Sequence, residues 1–298
     1  MSIDPSSLAP LEQLSTAMAG AVAHASRSVV AVQSVPPGRM RASGFAWRDG
    51  LIVTCEEAIP DEVELAVGLP DGGHAAATLV GRDPATDIAL LRIAGASPTP
   101  VVFDAQPVQS GALALGVGCA DGATLAAAGI VALAGPAWRS LRGGDIDARI
   151  ELDLRLRRSA EGGLALDARG RAIGMTVFGP RRRVLVIPGS TIERVAGLLA
   201  AHGRVPRGYL GLALQAVKVE PAGFGAMVMG VAADGPGAAA GLRQGDLLLA
   251  WNGEPVHGVR RLLRALGPAS VGSEARLSLQ RGGEPLEAQL IVGERPPD

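Results

Sequence analysis

Residues 150–163 read Ile-Glu-Leu-Asp-Leu-Arg-Leu-Arg-Arg-Ser-Ala-Glu-Gly-Gly and carry the clearest strand signal in the chain. Apolar residues occupy every second position from Ile150 to Leu156, and charged residues stand between them. This period of two predicts a β-strand with one buried and one solvated face. Beyond the strand, residues 167–170 (Asp-Ala-Arg-Gly) predict a hairpin turn into another strand at 172–177.

Shorter strand signals occur on the N-terminal side of this segment. Apolar runs lie at 29–32, 51–53 and 88–93, and residues 63–69 alternate between apolar and other side chains. The 41 glycines and 21 prolines supply the many turns that short strands need. Many short strands separated by turns are typical of a β-barrel or sandwich, so we predict a mainly β fold.

Helical signals interrupt this pattern and divide the chain. An Ala-rich segment at 10–27 predicts one helix, and apolar spacing at 190–202 predicts a second that ends at Gly203. Residues 204–207 then predict a linker, followed by a second β-rich segment with short helices near 236–241 and 259–266. We therefore predict an N-terminal helical segment at 1–27, a β-barrel domain at 28–200 and a second domain at 207–298.

Composition limits the classes of partner. Of the 298 residues, 48% are hydrophobic and 19% are charged, which is typical of a globular protein. The net charge of −1 gives no bulk attraction to nucleic acid or anionic membrane. The Ala-rich stretch 16–25 is too short and polar for a membrane span, and the first residues lack a basic signal-peptide region. We expect a cytoplasmic protein from the sequence as given, or a periplasmic one if a targeting segment is missing.

The two cysteines, Cys55 and Cys119, form neither a disulfide framework nor a Cys-x-x-Cys metal pair. They would be bridged if the chain is exported, or else remain two buried thiols. We predict no metal ion and no cofactor.

Several motifs occur together in a fixed order. They are Ser43-Gly44-Phe45 leading to Thr54, Gly81-Arg82-Asp83-Pro84-Ala85-Thr86-Asp87-Ile88-Ala89-Leu90-Leu91, Ala128-Gly129-Ile130-Val131-Ala132, the segment 150–163, and Pro236-Gly237 followed by Gly245-Asp246-Leu247. This ordered set resembles the HtrA/Deg family of trypsin-like serine proteases with a C-terminal PDZ domain. The resemblance implies a trypsin-like double β-barrel followed by an α+β PDZ domain at 207–298.

The departures from the family pattern fall on the catalytic residues. The resemblance places Glu57 where the family has its histidine, Asp87 where it has its acid and Glu161 where it has its serine. The family turn that shapes the oxyanion hole contains Pro and Gly, and the matching residues 158–161 here are Arg-Ser-Ala-Glu. Because the serine attacks and the histidine takes its proton, we expect no serine-endopeptidase activity.

A relocated triad would need a histidine within hydrogen-bond reach of a nucleophile. The histidines are His24, His74, His202 and His257, and none falls near the cleft in this alignment. Ser159 is two residues from the nucleophile position but has no base. The alternatives are therefore an active endopeptidase or chaperone with a non-standard site, or an unrelated hydrolase that uses the carboxyl groups.

Glu57, Asp87 and Glu161 should converge if the fold holds, with Glu56 nearby. They would form a site for a cation or a basic peptide, or be neutralised by Arg157, Arg158 or the run 181–183. The run 181–183 itself predicts either an anion or partner site beside the cleft or a solvated loop.

The resemblance also implies a peptide site. Gly208, Tyr209, Leu210, Gly211 and Leu212 match the PDZ loop that holds a C-terminal carboxylate through backbone N–H groups. We therefore expect a pseudoprotease that binds C-terminal peptides as a scaffold or regulator, in protein quality control, with partner proteases among its ligands. A family-like homotrimer is a further expectation.

Overall fold

The computed structural model describes residues 5–36, 41–60, 63–95, 97–219 and 223–296, except for the side chains of residues 5–8, 260, 261 and 264. The chain forms two compact units, Met1–Arg204 and Val205–Asp298. The first residues, on which the localisation expectation partly rests, lie outside the described part.

The first unit begins with helix α1 (Pro5–Ala25), which is mostly exposed. A closed barrel of six antiparallel strands follows. It consists of β1 (Val29–Val35), β2 (Arg41–Arg48), β3 (Leu51–Thr54), β4 (Glu64–Gly68), β5 (His74–Asp83) and β6 (Ile88–Ile93), in the order β1-β2-β3-β6-β5-β4.

A second closed barrel completes this unit. It consists of β7 (Leu113–Ala120), β8 (Ala123–Gly135), β11 (Arg149–Asp153), β12 (Leu164–Asp167), β13 (Ala172–Phe178) and β14 (Val184–Pro188), in the order β11-β14-β13-β12-β7-β8. Two short strands, β9 (Trp138–Arg139) and β10 (Asp145–Ile146), pair between β8 and β11. Because both barrels close on themselves, their strands present no long unpaired edge.

Helix α2 (Gly189–His202) packs against strands of both barrels, β5 and β6 of the first and β13 and β14 of the second. Its residues Ile192 and Leu199 are fully buried, and Gly203 ends the helix with a φ of 71°. Bulky aliphatic side chains fill the barrels, as expected for a chain with 3% aromatic residues. The fully buried ones include Ile52, Ile88, Leu90, Leu91, Leu164, Leu166 and Met175.

The second unit is a small mixed domain. Its strands are β15 (Gly208–Tyr209), β16 (Leu212–Val219), β17 (Gly223–Val231), β18 (Leu247–Trp251), β19 (Glu254–Pro255), β20 (Glu274–Arg281), β21 (Glu284–Ile291) and β22 (Gly293–Glu294). The main sheet has the order β16-β17-β18-β20-β21, so β16 is an edge strand. Helices α3 (Pro236–Ala239) and α4 (Val259–Ala265) complete the domain.

The mainly β architecture predicted from the sequence is confirmed, but the alternating segment differs in detail. Strand β11 ends at Asp153, so Leu154 and Leu156 lie beyond it. The alternation predicted a solvated Glu151, and this was wrong, since Glu151 is only 8% exposed. Two arginines compensate its charge, Arg149 at 2.5 Å and Arg183 at 3.4 Å, and this pairing makes its burial tolerable.

Cys55 and Cys119 are both buried free thiols, so the disulfide alternative is not realised in this structure. Burial and the nearby Asp87 and Glu161 raise the pKa of the Cys55 thiol well above its usual value. Among the described helices, none combines the length and apolar character needed to cross a bilayer.

Candidate functional site

A hydrogen bond from the backbone of Glu57 to the side chain of Asp87 holds these two residues together. Glu57 follows β3, and Asp87 stands immediately before β6, which pairs with β3. The Glu57 N–H donates a hydrogen bond of 2.8 Å to Oδ1 of Asp87. The pairing of two neighbouring strands therefore brings together residues that are 30 positions apart in the chain.

Asp87 has an unusual environment for a carboxyl group. Burial raises its pKa to about 7, and the charges of Glu161, Glu57 and Glu56 act in the same direction, against the Glu57 N–H. Its backbone has a φ of 57°, a left-handed conformation that Asp tolerates better than most residues. At neutral pH this group is therefore divided between its charged and uncharged forms.

Glu161 approaches the same place from the second barrel. It follows a 3₁₀ turn at Arg158–Ala160, and its Oε1 accepts a hydrogen bond of 3.0 Å from the Phe178 N–H. Burial raises its pKa, and so does Glu57, while the Phe178 N–H, Arg158 and Arg182 oppose the shift. The charges of Glu57 and Glu161 thus act on Asp87, and the Phe178 N–H of β13 holds Glu161.

Two backbone N–H groups of the turn at residues 157–161 donate hydrogen bonds to carbonyl groups of the same turn. The Ala160 N–H donates to the Arg157 carbonyl at 2.9 Å, and the Glu161 N–H donates to the Arg158 carbonyl at 3.2 Å. An oxyanion hole needs free N–H groups that point at the position of the developing charge. The Glu161 N–H is engaged within its own turn and does not meet this requirement.

Ser43 of β2 anchors this turn to the first barrel. Its N–H donates to the Glu161 carbonyl at 2.7 Å, and its Oγ donates to the Ser159 carbonyl at 2.8 Å. The same Oγ accepts a hydrogen bond of 2.8 Å from the Cys119 N–H. One fully buried hydroxyl therefore joins β2, β7 and the 158–161 turn.

Two cavities flank this cluster. The first has a volume of about 660 Å³ and the second about 880 Å³, and Glu57 lines both. The first is bordered by Asp87 and Glu151 and by apolar side chains that include Trp138, Leu141 and Leu185. The second is bordered by Glu161, Ser159 and Phe178 and is more polar.

Arginines surround both cavities. The first is lined by Arg139, Arg142, Arg149, Arg181 and Arg183, and the second by Arg41, Arg158 and Arg182. Glu56 pairs with Arg82 and Arg142, each at 3.5 Å. Of the arginines expected to neutralise the acidic cluster, Arg158 and Arg182 act on Glu161, while Arg183 pairs with Glu151 instead.

The cation alternative receives no support from the geometry. Within the described residues, no group of three or more His, Cys, Asp or Glu side chains is arranged to hold a metal ion. Arginines instead compensate Glu56 and Glu151 through ion pairs, and Arg158 and Arg182 oppose the rise in the pKa of Glu161.

The Arg181–Arg182 pair forms the tip of the β13–β14 hairpin in a strained conformation. Both residues have a φ of 58°, and the Arg183 N–H donates to the Pro180 carbonyl at 3.4 Å. This is the geometry of a type I′ turn, which normally takes Asn-Gly. Each arginine carries a cost of about 1 kcal/mol or more in this region. The guanidinium carbon of Arg182 lies 4.8 Å from the centre of the Phe178 ring.

No histidine lines either cavity within the described residues. His24 lines a separate cavity near the end of α1. Ser159, the nucleophile considered for a relocated triad, therefore lines the second cavity without a histidine beside it.

The candidate peptide loop of the second unit, residues 208–212, differs among its residues in whether the backbone N–H group is already hydrogen-bonded. The Gly208 N–H donates to the Leu266 carbonyl at 3.0 Å, so the donor role expected of Gly208 is not available in this structure. In contrast, the N–H groups of Leu210 and Gly211 have no acceptor among the described residues, although both residues are buried. Buried N–H groups normally have a partner. Leu212 begins the edge strand β16, and Tyr209 belongs to β15.

Sequence reasoning did not single out Ser43 as an anchor or Glu151 as a buried charge. Serine at the start of a glycine-containing strand gives no signal of its role, since its partners lie 76 and 116 positions away. The alternation around Glu151 pointed to solvent, and only the fold places Arg183 beside it.

Comparison with known protein families gives a separate match for each of the two units. Residues 42–175 match the family model of the trypsin-like peptidase domain, and residues 208–292 match that of the PDZ domain. A probable periplasmic DegP-like serine endoprotease from Rhizobium meliloti is 32% identical over 279 residues, which cover 87% of this chain and 55% of the relative. A protein of the same description from Pseudomonas putida is 31% identical, over 86% of this chain and 56% of the relative. The chain thus spans about half the length of these relatives.

Solved structures of HtrA-type proteases match most of the chain. A variant of the HtrA-type protease AlgW with a decapeptide has a TM-score of 0.78 and 25% identity, covering 94% of this chain and 98% of that one. A serine endoprotease from Yersinia pestis has a TM-score of 0.75 and 25% identity, with the same coverage.

Proposed function

This chain is a member of the HtrA family, with a trypsin-like peptidase fold followed by a PDZ domain, and from that premise we propose that it is a catalytically inactive, peptide-binding scaffold or regulator. The proposal has two parts, the loss of peptidase chemistry in the first unit and the retention of peptide binding in the second.

The observation that carries the first part is the pair Glu57 and Glu161 at the family's histidine and serine positions. Peptide hydrolysis by this fold needs a hydroxyl nucleophile and a base that takes its proton. A carboxylate at 161 supplies no such hydroxyl and repels the negative charge that develops on the substrate carbonyl. The Glu161 N–H is also bonded to the Arg158 carbonyl at 3.2 Å, which leaves it unable to stabilise that charge.

The second part is supported by the loop Gly208–Leu212 and the edge strand β16. The N–H groups of Leu210 and Gly211 would donate to the carboxylate of a C-terminal residue. The ligand would then add to the free edge of β16 as a further strand. Leu212, Leu214 and Val259 lie partly exposed against the core of this unit and would contact apolar side chains of the ligand.

The remaining expectations are part of the same proposal. The names of the relatives contain the word periplasmic, which supports the periplasmic alternative over the cytoplasmic one. The domain limits 1–27, 28–200 and 207–298, a homotrimer, partner proteases as ligands and a role in protein quality control stay predictions.

The alternative is an active endopeptidase or chaperone with a non-standard site, which the relatives' description as serine endoproteases favours. Turnover of casein by the purified full chain separates the two. We expect no turnover above a blank, together with binding of C-terminal peptides that weakens when the peptide carboxylate is amidated. A charge-assisted hydrogen bond contributes about 1.5–3 kcal/mol, so amidation should reduce affinity at least tenfold.

Steady casein cleavage that is lost in the Glu161→Gln variant would show a working active site and refute the inactive scaffold. Equal affinity for free and amidated peptides would instead refute carboxylate recognition by the PDZ loop. A peptide with an internal copy of the same sequence serves as the matched control.

A further inference from the structure

The cavities beside Glu57 carry an excess of positive charge. Eight arginines line them, against the four carboxyl groups of Glu57, Asp87, Glu151 and Glu161. Three of these arginines, Arg41, Arg139 and Arg142, form ion pairs with Asp121, Asp145 and Glu56, which do not line the cavities. The sequence alone left two alternatives at this place, a site for a cation or basic peptide and an acidic cluster neutralised by Arg157, Arg158 or the run 181–183.

The carboxyl groups are largely engaged inside the protein. Glu151 is paired with Arg149 and Arg183, and Glu161 accepts the Phe178 N–H. Asp87 accepts the Glu57 N–H. Glu57 itself is exposed and lines both cavities, and it is the carboxylate that would oppose an anionic ligand.

Several arginines, in contrast, have their guanidinium groups exposed. Arg158, Arg181 and Arg182 form no ion pair with a carboxylate among the described residues, and all three are exposed. Arg181 lines the first cavity, and Arg158 and Arg182 line the second. These three side chains are therefore available to a ligand that occupies the cleft.

At the hairpin tip, Arg181 and Arg182 line the cavities while their backbone is in a strained conformation. Asn-Gly would fit the positive φ values of residues 181 and 182 without strain, yet the chain has Arg-Arg. The turn sends Arg181 to one cavity and Arg182 to the other, where it stacks on Phe178. Strained positions of this kind are concentrated at binding and catalytic sites.

The first cavity adds an apolar surface to these charges. Its walls include Trp138, Leu141, Ile146, Val177 and Leu185, and its volume of about 660 Å³ holds several side chains. Arginine pairs with carboxylates in a two-point geometry, and apolar walls favour an aliphatic or aromatic side chain.

We propose that this cleft of the first unit binds an acidic peptide segment, whose carboxylates contact Arg181, Arg182 and Arg158 and whose apolar side chain enters the first cavity. The site is separate from the PDZ loop and does not need a free C-terminus. A polypeptide fits better than a nucleic acid because Glu57 and Glu161 line the same cavities as the arginines and would repel a continuous run of phosphates. The first cavity is also mainly apolar.

The test uses the full chain and the fluorescein-labelled peptide Glu-Leu-Glu-Leu-Glu, blocked at both ends so that it has no free carboxyl terminus. We expect saturable binding by fluorescence anisotropy that weakens as salt is raised, and none for the matched peptide with lysine in place of glutamate. The Arg181→Asn/Arg182→Gly variant should bind at least about tenfold more weakly, since it loses charge-assisted contacts.

This double variant also separates binding from folding. Asn-Gly suits the turn, so the variant should melt at the same or a higher temperature while its affinity falls. Glu57→Gln should change affinity in the opposite direction and tighten binding. The control Arg92→Gln/Arg169→Gln removes the same charge from exposed positions outside both cavities and should leave affinity unchanged.

Equal binding of the glutamate and lysine peptides, or unchanged affinity in the hairpin variant, would overturn the proposal. So would an equal loss in the control variant, which would indicate only a general charge effect. A single-stranded oligonucleotide that displaces the peptide and binds more tightly would assign the cleft to nucleic acid instead. None of these outcomes depends on the PDZ loop, which the blocked peptide cannot engage through a carboxylate.

Discussion

The backbone N–H of Glu57 lies 2.8 Å from Oδ1 of Asp87 and donates a hydrogen bond to it. The contact fixes Glu57 beside Asp87 whatever side chain residue 57 carries. The fold therefore retains the arrangement in which a side chain at 57 would be oriented by an acid at 87, but the side chain is a second carboxyl group. Positions 57 and 87 therefore hold two carboxyl groups and no imidazole.

The first prediction concerns the pH dependence of stability. The pKa of Asp87 is raised from 3.8 to about 7 in the folded protein, so the folded state holds this proton more tightly than the unfolded chain. The free energy of unfolding should therefore fall as pH rises from about 4 to about 7 and stay lowered above it. Asp87→Asn should remove this decrease and stabilise the protein at pH 8 by an amount on the order of a few kcal/mol.

Urea denaturation between pH 5 and pH 8 measures this effect, with Asp49→Asn as an exposed control. Asparagine keeps an acceptor for the Glu57 N–H and tolerates the φ of 57° at residue 87. The prediction is wrong if the wild type and Asp87→Asn lose stability in parallel over this range.

The second prediction concerns labelling and reconstitution of the active site. A serine-directed fluorophosphonate should not label the native protein, because residue 161 is glutamate. The Glu57→His/Glu161→Ser variant should gain at most weak activity, since the N–H of residue 161 stays bonded to the Arg158 carbonyl. Removal of one oxyanion donor alone costs on the order of 100-fold or more in rate.

A further variant checks this reason. Adding Arg158→Pro, Ser159→Gly and Ala160→Asn to the pair gives the turn the residues of the family pattern, and its casein turnover should exceed that of the double variant. Stoichiometric labelling of the native protein, or full activity in the double variant, would contradict the prediction.

The third prediction concerns Ser43. Ser43→Ala should destabilise the first unit by about 1–3 kcal/mol, because the buried N–H of Cys119 loses its acceptor and the Ser159 carbonyl loses a donor. Urea unfolding followed through Trp47 and Trp138 reports on this unit. Ser26→Ala, at a partly exposed serine, is the matched control and should stay within about 0.5 kcal/mol of the wild type. A loss of the same size in both variants would remove the role assigned to Ser43.

The fourth prediction concerns the PDZ unit. Asp246 is 1% exposed, accepts hydrogen bonds from Arg281 at 2.7 and 2.8 Å, and caps the Arg243 N–H at 2.8 Å. Asp246→Ala should lower the stability of this unit by about 2 kcal/mol, less than for a fully buried pair because Arg281 is partly exposed. The unfolding transition reported by Trp251 should move to lower urea, and Asp234→Ala should leave it in place.

The pH response of this pair has the opposite sign to that of Asp87. The hydrogen bonds from Arg281 lower the pKa of Asp246, so its stabilisation is present above the unfolded value and is lost as pH falls through the folded one. An unfolding midpoint of this unit that rises on acidification below pH 4 would contradict the assignment.

The sequence by itself determined the fold class and the family. The motif at 81–91 and the alternation at 150–156 carry their information locally, in the spacing of apolar residues along each strand. The expected replacement of two catalytic residues likewise rests on residue identity, at Glu57 and Glu161, and stays a prediction.

The electrostatic character of the cleft was decided only by the tertiary structure. The acidic residues alone left open a cation or basic-peptide site or a cluster neutralised by arginines. The fold brings eight arginines to the same cavities, from β2, the segment 139–149, the turn at 158–161 and the hairpin at 180–183. The net charge of a cleft is the sum of the side-chain charges that segments distant in the chain bring to it. The Coulomb energy between these charges depends on distances that only the packed fold defines. The burial of Glu151 and the anchoring by Ser43 were hidden from the sequence for the same reason.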